Sequence, residues 1–353
     1  MHASWSWSVV ASFALLSAAP LESQTAPILL GVEIAQESAP GAGDFAANPL
    51  GLLLVEQLAV SAAAHYAYGA PAAASFNGSF PPTAIDECRI AFAETSDGLT
   101  LFVVHDSVLD GGGGRAETIV DISGDADGAV RAVVDDQPGP DDSYSPAAID
   151  SHFTAAQAYG AQSTDGFALA DLEGNWSLVF SFGDADSNAA TPAIGGLSGL
   201  SAVSADGSIT PLGLVLGQRV RLKARYAQPS VGLGGPVGYL QLDIEGDDLS
   251  LPGAFATVRA FYSAPPRPGG GTLAPLCLFA NLTLNPVTWP TGGQLISYPF
   301  AFEQLFFDDL TAGLVLNIGP TGVGAPVTIY VQGVTWDTGN YEFSNGVALT
   351  LAP

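Results

Sequence analysis

Apolar and polar residues alternate with a period of two along most of this chain, in short runs broken by glycine, proline and aspartate. That period sends every second side chain to one face of a strand, whereas a helical face repeats near 3.6 residues. It predicts strands in "GLTLFVVHD" (from Gly98), "AETIVDI", "GAVRAVV", "NWSLVFSF", "SGLSAVSA", "SITPLGLVL" and "QRVRLKARY". Turn chemistry separates them: "DGGGG", "SGDADG", "QPGP", "FGDADSN" and "ADG". A second series follows "AQPSVGLGG": "VGYLQLDIEG", "AFATVRAFY", "LCLFANLTL", "QLISYPFAF", "GLVLNI", "PVTIYVQGV" and "YEFSNGVALTL", with "PPRPGGG" as an internal loop. Evenly spaced short strands without a strand–helix–strand rhythm predict an all-β fold. The expected architecture is two antiparallel β-sandwich domains of jelly-roll-like kind, over residues 50–228 and 229–353.

Two segments read ambiguously. "EQLAVSAAAHYAYG" is rich in alanine, but Leu58, Val60, Ala62, Ala64, Tyr66 and Tyr68 alternate, which predicts a strand. "SPAAIDSHFTAAQAYG" is the helix candidate, with Ser145 to cap it, Pro146 at the first helical position and Gly160 to end it. Its Phe153, Ala155, Gln157 and Tyr159 also alternate, so a strand is the competing expectation. Residues 1–25 read as a signal peptide. An apolar run spans Trp5 to Ala19, small residues place cleavage between Ala18 and Ala26, and the leading segment has His2 but neither lysine nor arginine. Residues 26–49 read as a flexible spacer carrying one short strand at Ile28–Ile34.

Composition sharpens this picture. The 42 glycines and 25 prolines follow no collagen period and exclude long helices as the main architecture. Acids outnumber bases 35 to 9, for a net charge of −26, so nucleic acid and anionic membranes are expected to be repelled rather than bound. The single lysine is Lys223. Such charge is solvating rather than paired and suits an extracellular setting. Cys88 and Cys277 both lie in apolar strand segments, so they can form one bridge in an exported chain or remain two buried thiols.

The segments "DGLTLFVVHD", "TDGFALADLEGNWSLVFSF" and "LGQRVRL" resemble a domain of exported all-β proteins of environmental bacteria. "CLFANLTLNP" and "VTIYVQGVTWDTGNYEFSNGVALTL" are similar to a C-terminal β domain of such proteins. The resemblance implies export and β architecture. It implies no activity and carries no functional residue to this chain.

The densest candidate chemistry is "DISGDADGAVRAVVDDQPGPDDS", with seven aspartates between Asp121 and Ser143. Calcium wants six to eight oxygens converging from one place. Ser123, Asp125, Asp127 and Gly128 match the first half of an EF-hand loop, but Val134 stands where a bidentate glutamate belongs, and the flanks read as strands. An EF-hand is excluded. If the flanking strands pair as a hairpin, "SGDADG" is its tip, and Asp121, Asp125 and Asp127 are calcium candidates there. Turn formation is the competing role for aspartates beside glycine. Paired carboxylates also serve glycosidases, but 35 acids make eligible pairs everywhere, including "IEGDD" and "FFDDL". The chain has no G-x-S-x-G, H-E-x-x-H or C-x-x-C, and adjacent His105 and Asp106 would point to opposite faces of a strand. Trp289, Tyr298, Trp336 and Tyr341 lie near strand ends and are candidates for stacking on sugar rings, with core packing as the alternative; Trp176 reads as core.

The sequence thus leads to an exported, non-catalytic structural or adhesive protein. Its partners would be other envelope proteins or an extracellular glycan. The alternative is a calcium-stabilised carbohydrate-binding module or glycan-active enzyme. Calcium is the one cofactor either reading brings in.

Overall fold

A computed structural model describes residues 27–69, 75–109, 111–125, 128–134, 142–145, 151–183, 194–228, 240–262, 274–282, 287–288, 294–295, 302–308, 314–319, 326–337 and 340–352. The chain is all-β, as the alternation predicts. Its described residues divide into two compact units, one within 30–224 and one within 225–353. Among the described residues no helix is long and apolar enough to cross a membrane.

The first half of the chain supplies β1 (Ile28–Gln36), β2 (Pro49–Leu53), β3 (Glu56–Gln57), the short helix α1 (Ala62–Tyr66), β4 (Glu87–Thr95), β5 (Gly98–His105), β6 (Gly114–Ser123) and β7 (Val130–Val134). Then come β8 (Ser143–Ser145), β9 (His152–Tyr159), β10 (Asp165–Ala170), β11 (Ser177–Phe182), β12 (Ile194–Gly195), β13 (Gly199–Val203), β14 (Ile209–Leu212) and β15 (Arg219–Ala227). The remaining strands are β16 (Leu240–Gly246), β17 (Ala256–Tyr262), β18 (Ala274–Asn281), β19 (Val287–Thr288), β20 (Gln294–Leu295), β21 (Phe302–Asp308), β22 (Leu314–Ile318), β23 (Val327–Asp337) and β24 (Asn340–Leu351).

Two sheets face each other in the first unit. One runs β8-β9-β6-β11-β15-β1-β2, with β12 also on β6. Its register aligns Phe153, Val120, Phe180 and Val220 in one row, all fully buried. The next outward row is His152, Asp121, Val179 and Arg221. The alternation read from "QRVRLKARY" is therefore real: Val220, Leu222 and Ala224 go inward, while Arg219, Arg221 and Lys223 are half-buried on the other face.

The second sheet runs β14-β13-β4-β5-β10-β7, with β3 on β4. It is not wholly antiparallel, because β4 pairs in parallel with both β13 and β3. Its inner face meets the first sheet through Phe167 against Phe153 (4.9 Å between centroids) and Phe92 stacked on Trp176 (5.4 Å). Its other face is also covered. Ala62, Tyr66 and Phe76 pack on Ala93, Phe102, Val104 and Ala168, and Phe80 packs on Ala91 and Val203. Burial on both faces explains why "LTLFVVH" and "DGFALA" are almost entirely buried instead of alternating. Gly166 marks the tightest point: a Cβ there would meet the Val103 carbonyl at 2.2 Å and the Tyr66 hydroxyl at 2.8 Å.

Three local expectations are corrected. The strand predicted over "EQLAVSAAAHYAYG" is only β3 followed by helix α1. Ser61 Oγ caps the Ala64 amide (3.2 Å), Asp97 Oδ2 takes the Ala62 amide (2.9 Å), and Ala62, His65 and Tyr66 bury at helical spacing. The helix candidate at 145–160 is the strand β9 over its described part, because Phe153, Ala155, Gln157 and Tyr159 supply the inward row facing β5 and β10. Residues 26–49 are not a bare spacer. β1 is nine residues long and buries Val32, Ile34 and Ala35. The loop after it is fastened by Glu37, whose carboxylate accepts from the amides of Gly41, Gly43 and Arg219 (each 2.9 Å) and from the Arg219 guanidinium (2.8 Å). Phe45 then lies under the guanidinium groups of Arg219 and Arg221, at 5.6 and 5.3 Å.

In the second unit, β22, β17 and β16 pair in that order, with β16 paired to the end of β15 at Tyr226 and Ala227, and β21-β18-β23-β24 form a separate sheet. Leu240, Leu242, Ile244 and Val258 share a core with Leu278, Val331, Val347 and Leu349. The Asn345 amide group grips the Leu242 backbone at both N and O (each 2.8 Å), standing in for a strand partner. Cys88 and Cys277 are both buried thiols, so the bridge weighed from sequence does not form.

Arg219 and the loop amides hold the Glu37 carboxyl down at about pH 2, against 4.5 normally. Its folded pKa lies below its unfolded one, so its contribution is complete above about pH 4.5 and disappears as pH falls toward 2. Glu37→Gln should cost about 1–3 kcal/mol at pH 7, the range for hydrogen bonds to a charged group. In urea melts across pH, the gap between wild type and variant should close between pH 4.5 and 2.

Candidate functional site

Of the residues singled out from sequence, Asp121 and Asp125 belong to the first unit and Trp336 and Tyr341 to the second. Asp121 is exposed on β6 and accepts from His152 Nδ1 at 2.6 Å. Asp125 is half-buried in the turn that follows, and Asp127 lies outside the described residues. The turn is no hairpin tip: β6 pairs with β9, β11 and β12 in one sheet, whereas β7 pairs with β10 in the other. "SGDADG" therefore crosses between sheets. Among the described residues no three His, Cys, Asp or Glu side chains converge as a metal would require. Trp289 and Tyr298 also lie outside the described residues. Trp336 and Tyr341 occupy directly opposed positions where β23 turns back into β24. Trp176 is core, with no exposed surface.

A constellation missed from sequence lies inside the first unit, at one end of its facing sheets. Register places Leu200, Cys88, His105 and Asp165 in one row across β13, β4, β5 and β10. Gln157 reaches this row from β9 on the opposite sheet. Its Nε2 donates to Asp165 Oδ1 and to the Gly166 carbonyl (each 2.8 Å), with the Tyr144 hydroxyl at 3.2 Å. The amide orientation is thereby set, so Oε1 must accept, and its partner is His105 Nε2 at 3.1 Å. The imidazole is then the Nε2–H tautomer. Its Nδ1 is buried and meets no hydrogen-bond partner. Tyr159 stacks on the ring (6.2 Å, 19° between planes), and Phe182 lies at the same distance.

Electrostatics define what this row can do. Burial drives the His105 pKa down to about 4, against a weaker upward pull from Gln157. Burial also pushes the Cys88 thiol well up, with Glu87 adding to it, and pushes the Tyr159 phenol up, helped by Asp106, Cys88, Asp165 and Asp86. A nucleophilic cysteine needs a stabilised thiolate and a cationic or basic partner. Here both members of the Cys88–His105 pair are driven to their neutral forms and are fully buried. The hydrogen bonds of Gln157 to His105, Asp165 and Gly166 serve instead as a polar tie between sheets. The signal for it was present in the inward row Phe153, Ala155, Gln157 and Tyr159, where an amide stands among apolar side chains. The partners could not be read off, because β5 and β10 lie in the sheet opposite β9, and local periodicity does not say which strands face each other.

No protein-family model matches the chain, and no curated protein matches it.

His105 should remain neutral in the native protein down to about pH 5. Its folded pKa lies below the ordinary 6.5, so the unfolded chain binds more protons between those values, and stability falls as pH drops from 6.5 toward 4. Imidazole 15N shifts report the charge and the tautomer directly. Gln157→Leu strands the His105 donor and the Asp165 and Gly166 acceptors, and should cost about 2–4 kcal/mol in denaturant melts at pH 7.

Proposed function

We propose that the chain is an exported, non-catalytic structural or adhesive protein of the cell envelope or extracellular space. The observation that carries this reading is the state of the His105 row. Histidine, cysteine, tyrosine and aspartate come together there, yet they are buried, held neutral at the thiol and imidazole, and spent on joining two sheets. Chemistry that would need a substrate has no reactive group there to work with. The reading also rests on the net charge of −26, which favours solvation and disfavours nucleic acid and anionic membranes. The apolar run Trp5 to Ala19 supports export.

A second reading, a glycan-binding module, is favoured by one observation: the opposed positions of Trp336 and Tyr341 at the β23–β24 turn. Two aromatics at neighbouring positions on a strand pair are the minimal platform for stacking on a sugar ring.

Expressed with a C-terminal tag in a bacterial host, the chain should leave the cytoplasm and begin between residues 19 and 27 by N-terminal sequencing. Retention in the cytosol with Met1 or its neighbours intact overturns the export reading. In affinity electrophoresis through neutral polysaccharides, the structural reading expects unretarded migration. Retardation abolished by Trp336→Ala with Tyr341→Ala would instead establish the glycan module.

A further inference from the structure

We infer that His105 is an acid-sensitive latch: its protonation releases the end of the first unit where β5, β9 and β10 meet, and exposes the Cys88 thiol. The inference starts from position. His105 is the last residue of β5, Asp165 the first of β10, Tyr159 the last of β9, and Cys88 the second of β4. The tie therefore sits at strand ends, where local opening costs least, and not in the middle of the ladder. The next row inward, Ile90, Val103 and Phe167, is apolar.

The surroundings of the ring decide what a proton does. From β9, Gln157 takes the Nε2–H, and Tyr159 covers the ring face. From β10, Asp165 lies directly across from His105, and its Oδ1 accepts from the Gln157 amide and from the Gly166 N–H (each 2.8 Å). From β4, Cys88 offers a thiol, not a thiolate. From β8, Tyr144 reaches Gln157 and not the ring. Asp106 follows β5; its Oδ1 accepts the amide of Asp86 (2.8 Å), and its own amide donates to the Glu87 carbonyl (2.9 Å). A proton on Nδ1 thus adds a buried charge and a new donor at an atom that meets no acceptor. Opening the strand ends lets water take both. Burial alone holds the folded pKa down near 4, so the opened form gains protons that the closed form resists. Its population should grow roughly 10- to 100-fold between pH 7 and 4.5.

Cys88 is the built-in reporter, and Cys277 in the other unit is its control. The full chain is reacted with 4,4′-dithiodipyridine at pH 7 and 4.5. Each cysteine is followed by peptide mass spectrometry, and rates are normalised to the denatured chain at the same pH. The latch expects the Cys88 rate to rise roughly 10- to 100-fold at pH 4.5, the Cys277 rate to stay within about twofold, and His105→Asn to abolish the Cys88 rise. An unchanged Cys88 rate, a joint rise of both cysteines, or a full rise in His105→Asn overturns it. Should that variant not fold, the wild-type profile still decides. The Cys88 rise must track His105 protonation read from imidazole 15N shifts, and a midpoint elsewhere overturns the latch.

Discussion

The first unit depends on covering both faces of the sheet built around β4, β5 and β10. A strand with water on one face alternates; one buried on both must be apolar nearly throughout and must send its neighbours to close the second side. β5 and β10 are such strands, so two coverings are obligatory. The facing sheet supplies one through Phe153, Phe180 and Trp176. Leu58, Ala62, Tyr66 and Phe76 supply the other, and Ala62–Tyr66 folds as a capped helical turn that packs Tyr66 on the sheet.

That constraint also explains the polar row. A residue placed between two covered faces cannot be reached by water, so each polar group there needs a protein partner. Gln157 satisfies this requirement for three residues at once, with an acceptor for His105 and donors for Asp165 and the Gly166 carbonyl. The result is a cross-sheet tie whose groups are steered away from reactivity by the same burial that makes the tie necessary. Glu37 plays the converse part near the surface. There a carboxylate keeps its charge because a guanidinium and three backbone amides surround it.

Much of the fold was legible in the residues. "QRVRLKARY" and "NWSLVFSF" declare their inward faces, and Val220, Leu222, Leu178 and Phe180 are buried as that alternation requires. "GLTLFVVHD" read as an alternating strand like the others, but β5 is buried nearly throughout because its sheet is covered on both faces. Other segments were opaque for physical reasons. In "AVSAAAHYAYG" small alanines satisfy either period, and the helix is decided by Ser61 and Asp97, one of them distant in sequence. β9 looked helical because its alanines, serine, proline and glycine match helix-end chemistry, while its strand state comes from pairing with β6 and β8. The aspartates of "SGDADG" suggested a loop closing on itself, but their flanking strands belong to different sheets.

By itself, then, the sequence determined the all-β character of the chain, the inward residues of its regular strands and its strongly acidic surface, since each follows from local periodicity and composition. Only the tertiary structure decided which strands are neighbours, which face of an alanine-rich segment is buried, and that His105, Gln157 and Asp165 meet. Those outcomes rest on pairing and packing between strands, and a period of two, identical in every strand, carries no information about which strand lies beside which.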